Sequence, residues 1–517
     1  MWRRSAWPLL VGAWVLLVTT ALFLRPLLPI DETRYASVAW EMWRRGDLLV
    51  PHLNGLPYSD KPPLLFWLFN LGWWVFGVND GWPRIVPSLF ALANLFLTAA
   101  LARRLWPDRP AVARAAPWVL LGCLLWSVYT SMVMFDMLVA FCVLLALLGL
   151  EGARRRGGVL PWLQVGSALG LGILAKGPVV FLVPAGVALL APWWGRDAGR
   201  WRGARGRRWA LGFAGAVVLG ATIALAWALP AARAGGSDYA QAILFSQTEE
   251  RLVHSVSHRR PGWWYLALLP AMLFPYSLWP PLWKAVSRLR PRAADPGERL
   301  ALAWLLPGLL VFSLISGKQP HYLLPLLPAF ALLAARWLDG AAPEVRRWQR
   351  LPPLAGLLGI GLVVAGASFL AGRLDLPEWA ASVSPATGYA LIAAAVLLLW
   401  SGAGLPALTL TLVTALSIGF SEAAHQAYDL RPIARYLADL EKQGRPIAYV
   451  GEYHGEFHFL GRLERPFEEI PLGAERIWAR QHPGGRVIQE LRYLPADVDH
   501  TEFTQPYRGE TLAVWGT

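Results

Sequence analysis

VMFDMLVAFCVLLALLGLEGARRR, residues 133–156, is the stretch that decides the fold. From 133 to 150 it is an apolar run close to the ~20 residues that cross a ~30 Å hydrocarbon core as a helix. One carboxylate, Asp136, sits near one end, and Arg154, Arg155 and Arg156 close the other. Clustered arginines mark the cytoplasmic ends of membrane helices. The stretch therefore reads as a transmembrane helix with its acidic end outside.

The pattern recurs in both directions. Apolar runs over 7–24, 84–104, 117–131, 133–150, 161–176, 178–194, 210–230, 263–283, 299–316, 322–338, 352–372, 386–402 and 404–421 predict about thirteen spans. Every second loop is Arg-rich: Arg103, Arg104, Arg109 and Arg114, then Arg154–Arg156, then 196–208, then 284–292, then Arg346, Arg347 and Arg350. This alternation predicts a cytoplasmic N-terminus and an external C-terminus. Composition agrees. Of 517 residues 56% are hydrophobic and 16% charged, against about 25% charged in soluble domains. Mean hydropathy is +0.40, more apolar surface than one soluble core can hide.

The net charge of +14 lies in short clusters between apolar runs. With no basic reading helix or zinc finger, nucleic acid is excluded as a partner. Cys123 and Cys142 lie within apolar runs, lack metal-ligand spacing and read as packing residues. The first apolar run follows Arg3 and Arg4 but is too long for a signal-peptide core and has no small-residue cleavage site, so it reads as a retained helix.

Two external loops are long, 25–83 and 231–262. Within the first, 64–77 opens with Pro62-Pro63 and predicts a helix at the membrane interface. Tryptophan pairs at 73–74, 193–194 and 263–264 fall near span ends, where aromatic belts form. From His425 the chain turns polar. The predicted architecture is an all-α polytopic domain over 1–424 and a small external α/β domain over 425–517. The latter has an amphipathic helix over 432–443 and a strand over 446–459, on which His454 and His458 would share one face as surface residues.

Ionisable groups at membrane depth are costly and need a reason. Four regions carry them on the predicted outer side. Asp31-Glu32 follows the first span, as a helix cap or as a general base whose proton affinity burial would raise. Asp60-Lys61-Pro-Pro63 offers a salt-bridged turn, or a lysine for phosphate and a carboxylate for a divalent metal. The loop 247–260 supplies Arg251, Arg259 and Arg260 for phosphate and His254 and His258 as metal ligands, and it is cationic against the charge rule the other loops obey. Asp136, Lys176 and Lys318 stand alone at span ends, the lysines each beside glycine and near proline. Together they describe an outward cavity suited to a phosphate ester whose apolar tail lies in the bilayer.

The run Asp31-Glu-Thr-Arg-Tyr35, Asn54-Gly55, Lys61-Pro-Pro63, Asn79 and Arg84 resembles the family 39 glycosyltransferases, which include protein O-mannosyltransferases and bacterial aminoarabinose transferases acting on lipid A. Lys176-Gly-Pro178, Pro261-x-Trp-Trp-Tyr265 and Ser316-Gly-Lys-x-x-x-Tyr322-x-x-Pro325 extend the match over about 7–340. The resemblance implies a GT-C fold, a polyprenyl-phosphate (undecaprenyl phosphate) sugar donor and inverting transfer to lipid A, another glycan or protein at the periplasmic face of a bacterial inner membrane. By that resemblance Asp31 is the catalytic aspartate and Asp136, Lys176 and Lys318 line the cavity; with the reading of the residues, Asp31, Glu32 and Asp136 make the candidate catalytic set. Lys61, Arg34, Tyr35, Lys176, Arg251, Arg259, Lys318 and Tyr322 would hold substrate and phosphate. Asp60 with His258, or with His254, would hold a divalent Zn, Mg or Mn ion, though relatives more often carry Glu before the lysine. The rival reading is a flippase for lipid-linked sugars, which would place charges near the midplane and show internal repeats; neither is visible here.

Overall fold

Each of the predicted apolar stretches contains helix, and proline and glycine decide where it breaks. The computed structural model describes residues 6–195, 203–246, 259–287, 294–341, 346–371, 383–401, 403–491 and 501–516. In chain order it begins with α1 (Ala6–Leu24), α2 (Asp31–Arg45), the hairpin β1 (His52–Leu53) and β2 (Leu56–Pro57), and α3 (Leu64–Phe76). There follow α4 (Trp82–Leu105), α5 (Pro110–Gly122), α6 (Leu124–Tyr129), α7 (Asp136–Arg156), α8 (Leu160–Lys176) and, after short helical pieces, α9 (Ala204–Ala234).

Among the described residues 7 helices are long and apolar enough to cross a membrane, or up to 8 if the pair Pro406–Gly419 and Ser421–Lys442, bent by 55°, is one span. The difference from the predicted count lies in continuity. The run 117–131 divides at Cys123, which is extended between α5 and α6. The run 178–194 divides into a 3-10 turn at Pro178–Phe181 and two short helices. The run 263–283 divides into Trp264–Met272, a turn and Pro280–Ser287, with Pro275 and Pro280 at the breaks. Proline lacks the N–H that would continue the ladder.

The α7–α8 hairpin is central, because α7 is buried along nearly its whole length. Helix α8 packs on α9 through small residues. A Cβ on Gly170 would stand 2.6 Å from Ile223 Cβ, and one on Gly166 2.8 Å from the Ala216 carbonyl. Such spacing lets two backbones approach closely.

The C-terminal unit has its own core, beginning at Leu430. Its five-stranded sheet runs in the order β4 (Glu468–Ile470), β3 (Ile447–Val450), β5 (Arg486–Leu491), β7 (Glu510–Trp515), β6 (Thr501–Tyr507). Strand β3 is parallel to both neighbours, and β7 is antiparallel to β5 and β6. The helix Arg431–Lys442 buries Ile433, Leu437 and Leu440 with Tyr449, Ile488 and Val514. On the other face Trp478 and Ala479 pack with Ala448 and Val487.

The expected strand over 446–459 is shorter. It stops at Val450 because Gly451, at φ +93°, turns the chain. His458 is accordingly not a surface strand residue; it is buried, with Nδ1 2.7 Å from the Tyr453 hydroxyl and Nε2 3.0 Å from the Arg465 carbonyl.

Candidate active site

The α7–α8 hairpin brings Asp136 and Lys176 to one end of the membrane domain, since α7 starts on the first and α8 ends on the second. Gly177, at φ +81°, and Pro178 stop α8 there. Lys176 Nζ donates to Asp136 Oδ1 at 2.7 Å. The same ammonium lies 4.7 Å from the centroid of the Tyr322 ring, within cation–π range. His321 Nε2 stands 4.0 Å from Asp136 Oδ2, and its ring meets those of Tyr322 and Tyr129.

Helix α2 supplies the facing wall. Asp31 opens its first turn and is exposed, where the helix dipole favours a carboxylate. One turn on, the Tyr35 hydroxyl donates to Asp31 Oδ1 at 3.2 Å. Burial, then the Asp31 charge, pushes the Tyr35 phenol well above its ordinary range, so it remains a donor. Arg34 lies within electrostatic reach of Tyr58, Asp31 and Asp60. Asp136, Lys176, Asp31 and Lys61 all lie within such reach of His321. Residues from α2, the 58–61 turn, α7, α8 and the 3-10 turn Pro320–Leu326 thus converge on one edge of the membrane domain.

Two expected members stand apart. Glu32 is buried and saturated: it accepts from Arg25 at 2.5 and 3.0 Å, from Leu28 N at 2.7 Å and from Val133 N at 2.8 Å. Burial alone would raise its carboxyl, but Arg25 and these hydrogen bonds hold it below its ordinary value. Its geometry ties the 25–28 turn to the start of α7 rather than facing the cluster. Lys318 is also buried, and its ammonium donates to the carbonyls of Arg260 at 2.9 Å and Ile315 at 2.5 Å. It clamps two loop segments that a bridge between Arg259 and Gly317 also joins. Arg259 itself is exposed. Arg251, His254 and His258 lie outside the described residues. Asp60 is half-buried, and among the described residues no group of three His, Cys, Asp or Glu could hold a metal ion.

Sequence reading passed over His321 and Tyr129. The signal for His321 was an imidazole at a span end, one residue from Tyr322. It also gave the 451–459 loop no part in the site. That loop sits on α2: Ser37 Oγ donates to the Gly455 carbonyl at 2.6 Å and accepts from Phe459 N at 3.0 Å. It carries His454 into electrostatic reach of Arg34 and Asp60, and buries Glu456 nearby.

A helical membrane domain with a cation- and carboxylate-rich edge, capped by a small α/β unit, is the multi-pass architecture expected of the GT-C fold. A family model for dolichyl-phosphate-mannose-protein mannosyltransferases matches residues 60–231. The chain is 34% identical over 381 residues to the undecaprenyl phosphate-alpha-4-amino-4-deoxy-L-arabinose arabinosyl transferase of Pseudomonas paraeruginosa, covering 71% of this chain and 66% of that one. It is 31% identical over 401 residues to the protein of the same name from Erwinia tasmaniensis, covering 74% of this chain and 68% of that one. The crystal structure of ArnT from Cupriavidus metallidurans bound to undecaprenyl phosphate superposes with a TM-score of 0.72 at 21% identity, covering 99% and 98% of the two chains. The chain belongs to the undecaprenyl phosphate-alpha-4-amino-4-deoxy-L-arabinose arabinosyl transferase family. It matches just under two thirds of the length of the Pseudomonas relative, 66%.

Proposed function

We propose that this protein is an inverting glycosyltransferase that moves a sugar from undecaprenyl phosphate to lipid A or another envelope acceptor. The reaction would take place at the periplasmic face of the inner membrane, with the N-terminus cytoplasmic and the C-terminal unit outside. The observation that carries the reading is the convergence of Asp31, Arg34, Lys61, Asp136 and Lys176 at one edge of an apolar helical domain.

In the proposed step an acceptor hydroxyl attacks the anomeric carbon from the face opposite the lipid phosphate. Its proton passes to Asp31, the exposed carboxylate of the cluster. The bond from the anomeric carbon to the phosphate oxygen breaks, and its electron pair stays on the phosphate. Lys61, Arg34 and Arg259 would neutralise that charge, since fixed cations stabilise what develops at the leaving group. Lys176, held by Asp136 and Tyr322, would orient the substrate. The names of the relatives favour an aminoarabinose, whose ammonium needs a carboxylate neighbour, and Asp136 offers its Oδ2, which has no hydrogen-bond partner.

Asp60 with His258 or His254 is the donor set for a divalent ion, Zn, Mg or Mn, which would add positive charge beside the lipid phosphate. Metal analysis of the purified protein and of Asp60→Ala tests that set; equal metal content in both would remove Asp60 from it. The function itself is tested by mass spectrometry of lipid A and envelope glycans from a deletion strain and its complement. Loss of one sugar-bearing species, restored by the gene, is expected. Identical profiles would count against the reading.

A further inference from the structure

A charged cavity that the catalytic reading does not use lies at the C-terminal end of α1. It measures about 140 Å³, roughly ten times what one water needs. It is lined by Arg25, Arg84, Arg431 and His425, with Asp80 and Asp429, where the ends of α1 and α4 meet the C-terminal unit.

The acids here are already engaged. Asp429 takes a two-pronged ion pair from Arg431, at 2.7 to 3.1 Å. Asp80 accepts from Arg462 at 2.6 Å. Arg25 is matched by Glu32. Arg84 differs. It is 7% exposed, its Nη1 donates only to the carbonyls of Ala21 and Leu22, at 3.3 and 3.2 Å, and its Nε has no hydrogen-bond partner. Among the described residues it makes no ion pair within 4 Å, and the carboxylates within its electrostatic reach, Glu32 and Asp80, are already paired with Arg25 and Arg462. A buried guanidinium left short of a partner costs free energy that an anion would recover.

The setting says what kind of anion. The cavity is walled by Leu22 and Phe23, on the last turn of a membrane-length helix, and Phe23 is 80% exposed on its apolar outer side. An acyl chain can lie along that turn while its headgroup reaches the arginines. We infer that Arg84, with Arg25 and Arg431, forms a binding site for the phosphate of an anionic lipid, separate from the site of transfer. Through Arg25 and Glu32 a lipid so bound would brace the helix that carries Asp31.

The test uses the purified full chain in nanodiscs and reads binding and melting, not turnover, so it stands whatever the protein transfers. In phosphatidylglycerol, but not in phosphatidylcholine, the wild type should retain lipid in native mass spectrometry and melt higher. Arg84→Gln should lower retention roughly tenfold, the loss of one charge-assisted contact. Arg431→Gln, on the half-exposed rim, should weaken retention without affecting folding. Lys61→Ala, in the other cation cluster, should retain lipid as the wild type does. Inorganic phosphate added to the phosphatidylcholine sample distinguishes the sources: stabilisation that Arg84→Gln removes supports a phosphate site without need of the lipid tail, and none supports a lipid-specific one. Retention unaffected by both arginine variants, or abolished by Lys61→Ala alone, would overturn the proposal.

Discussion

At the residue scale, burial separates what works from what holds. Asp136 is buried and its partner Lys176 partly so, and removing Lys176 leaves the buried carboxylate uncompensated, at a cost of up to roughly 3–5 kcal/mol. Lys176→Met should therefore lower the melting temperature markedly. The double variant Asp136→Leu/Lys176→Met should recover much of that loss while staying inactive, because the stability term is paired and the substrate contact is not. Differential scanning fluorimetry beside a transfer assay checks both halves. That both charges reach one edge was legible in the sequence, because each lies near the end of an apolar run and two consecutive helices joined by a tight loop must return to one side; that they pair was not. Glu32 and Lys318 stand otherwise: their partners are Arg25, in the turn before α2, and main-chain atoms, and residue type alone does not reveal such saturation.

Two titrating groups of the 451–459 loop make a further residue-scale prediction. Burial pushes the Glu456 carboxyl up to about 7 and the His458 ring down to about 4. The folded state thus holds a proton on Glu456 that the unfolded chain releases, so stability from this group falls as pH rises from 4.5 to 7. His458 acts in reverse. The unfolded chain binds a proton there that the folded state refuses, so stability rises as pH climbs from 4 to 6.5. Each is worth roughly 3 kcal/mol, at about 1.4 kcal/mol per tenfold change in proton affinity. They nearly cancel in the wild type. Glu456→Gln should unmask stability that rises with pH, and His458→Phe stability that falls with it, in melting curves of the full chain between pH 4.5 and 7.

At the element scale, close packing of α8 on α9 holds Lys176 in place from below. Gly170→Val would drive a side chain against Ile223, costing about 1–3 kcal/mol by overpacking, and should lower activity less than Lys176→Met does. Melting temperature and turnover together check it. Helix positions were legible here because long apolar runs leave little choice in a bilayer. Continuity was not: the breaks at Cys123 and Pro275 depend on what lies alongside, as where the Tyr276 hydroxyl occupies the space a side chain at Gly122 would need.

At the scale of the whole molecule, the C-terminal unit is docked on α2 and the hairpin beside it. Ser37 bonds Gly455 and Phe459, Trp40 Nε1 donates to the Leu463 carbonyl at 2.8 Å, and Asn54 both donates to and accepts from the Phe467 backbone. Asn54-Gly55 thereby has a physical use: its turn aims an amide at the second unit. None of this was visible in sequence, where these partners stand about 400 positions apart. Ser37→Ala with Asn54→Ala should cost about 1 kcal/mol per lost hydrogen bond and speed hydrogen exchange over 447–467, leaving the membrane helices unchanged.

The central claim is that Asp31 serves a transfer reaction at this edge. Purified wild type and Asp31→Asn should be reconstituted with a polyprenyl-phosphate aminosugar and lipid A, and the products weighed by mass spectrometry. The account predicts sugar-bearing lipid A and free polyprenyl phosphate from the wild type, and neither from a folded Asp31→Asn. Equal product from both, or donor moved across the bilayer uncleaved, would contradict it.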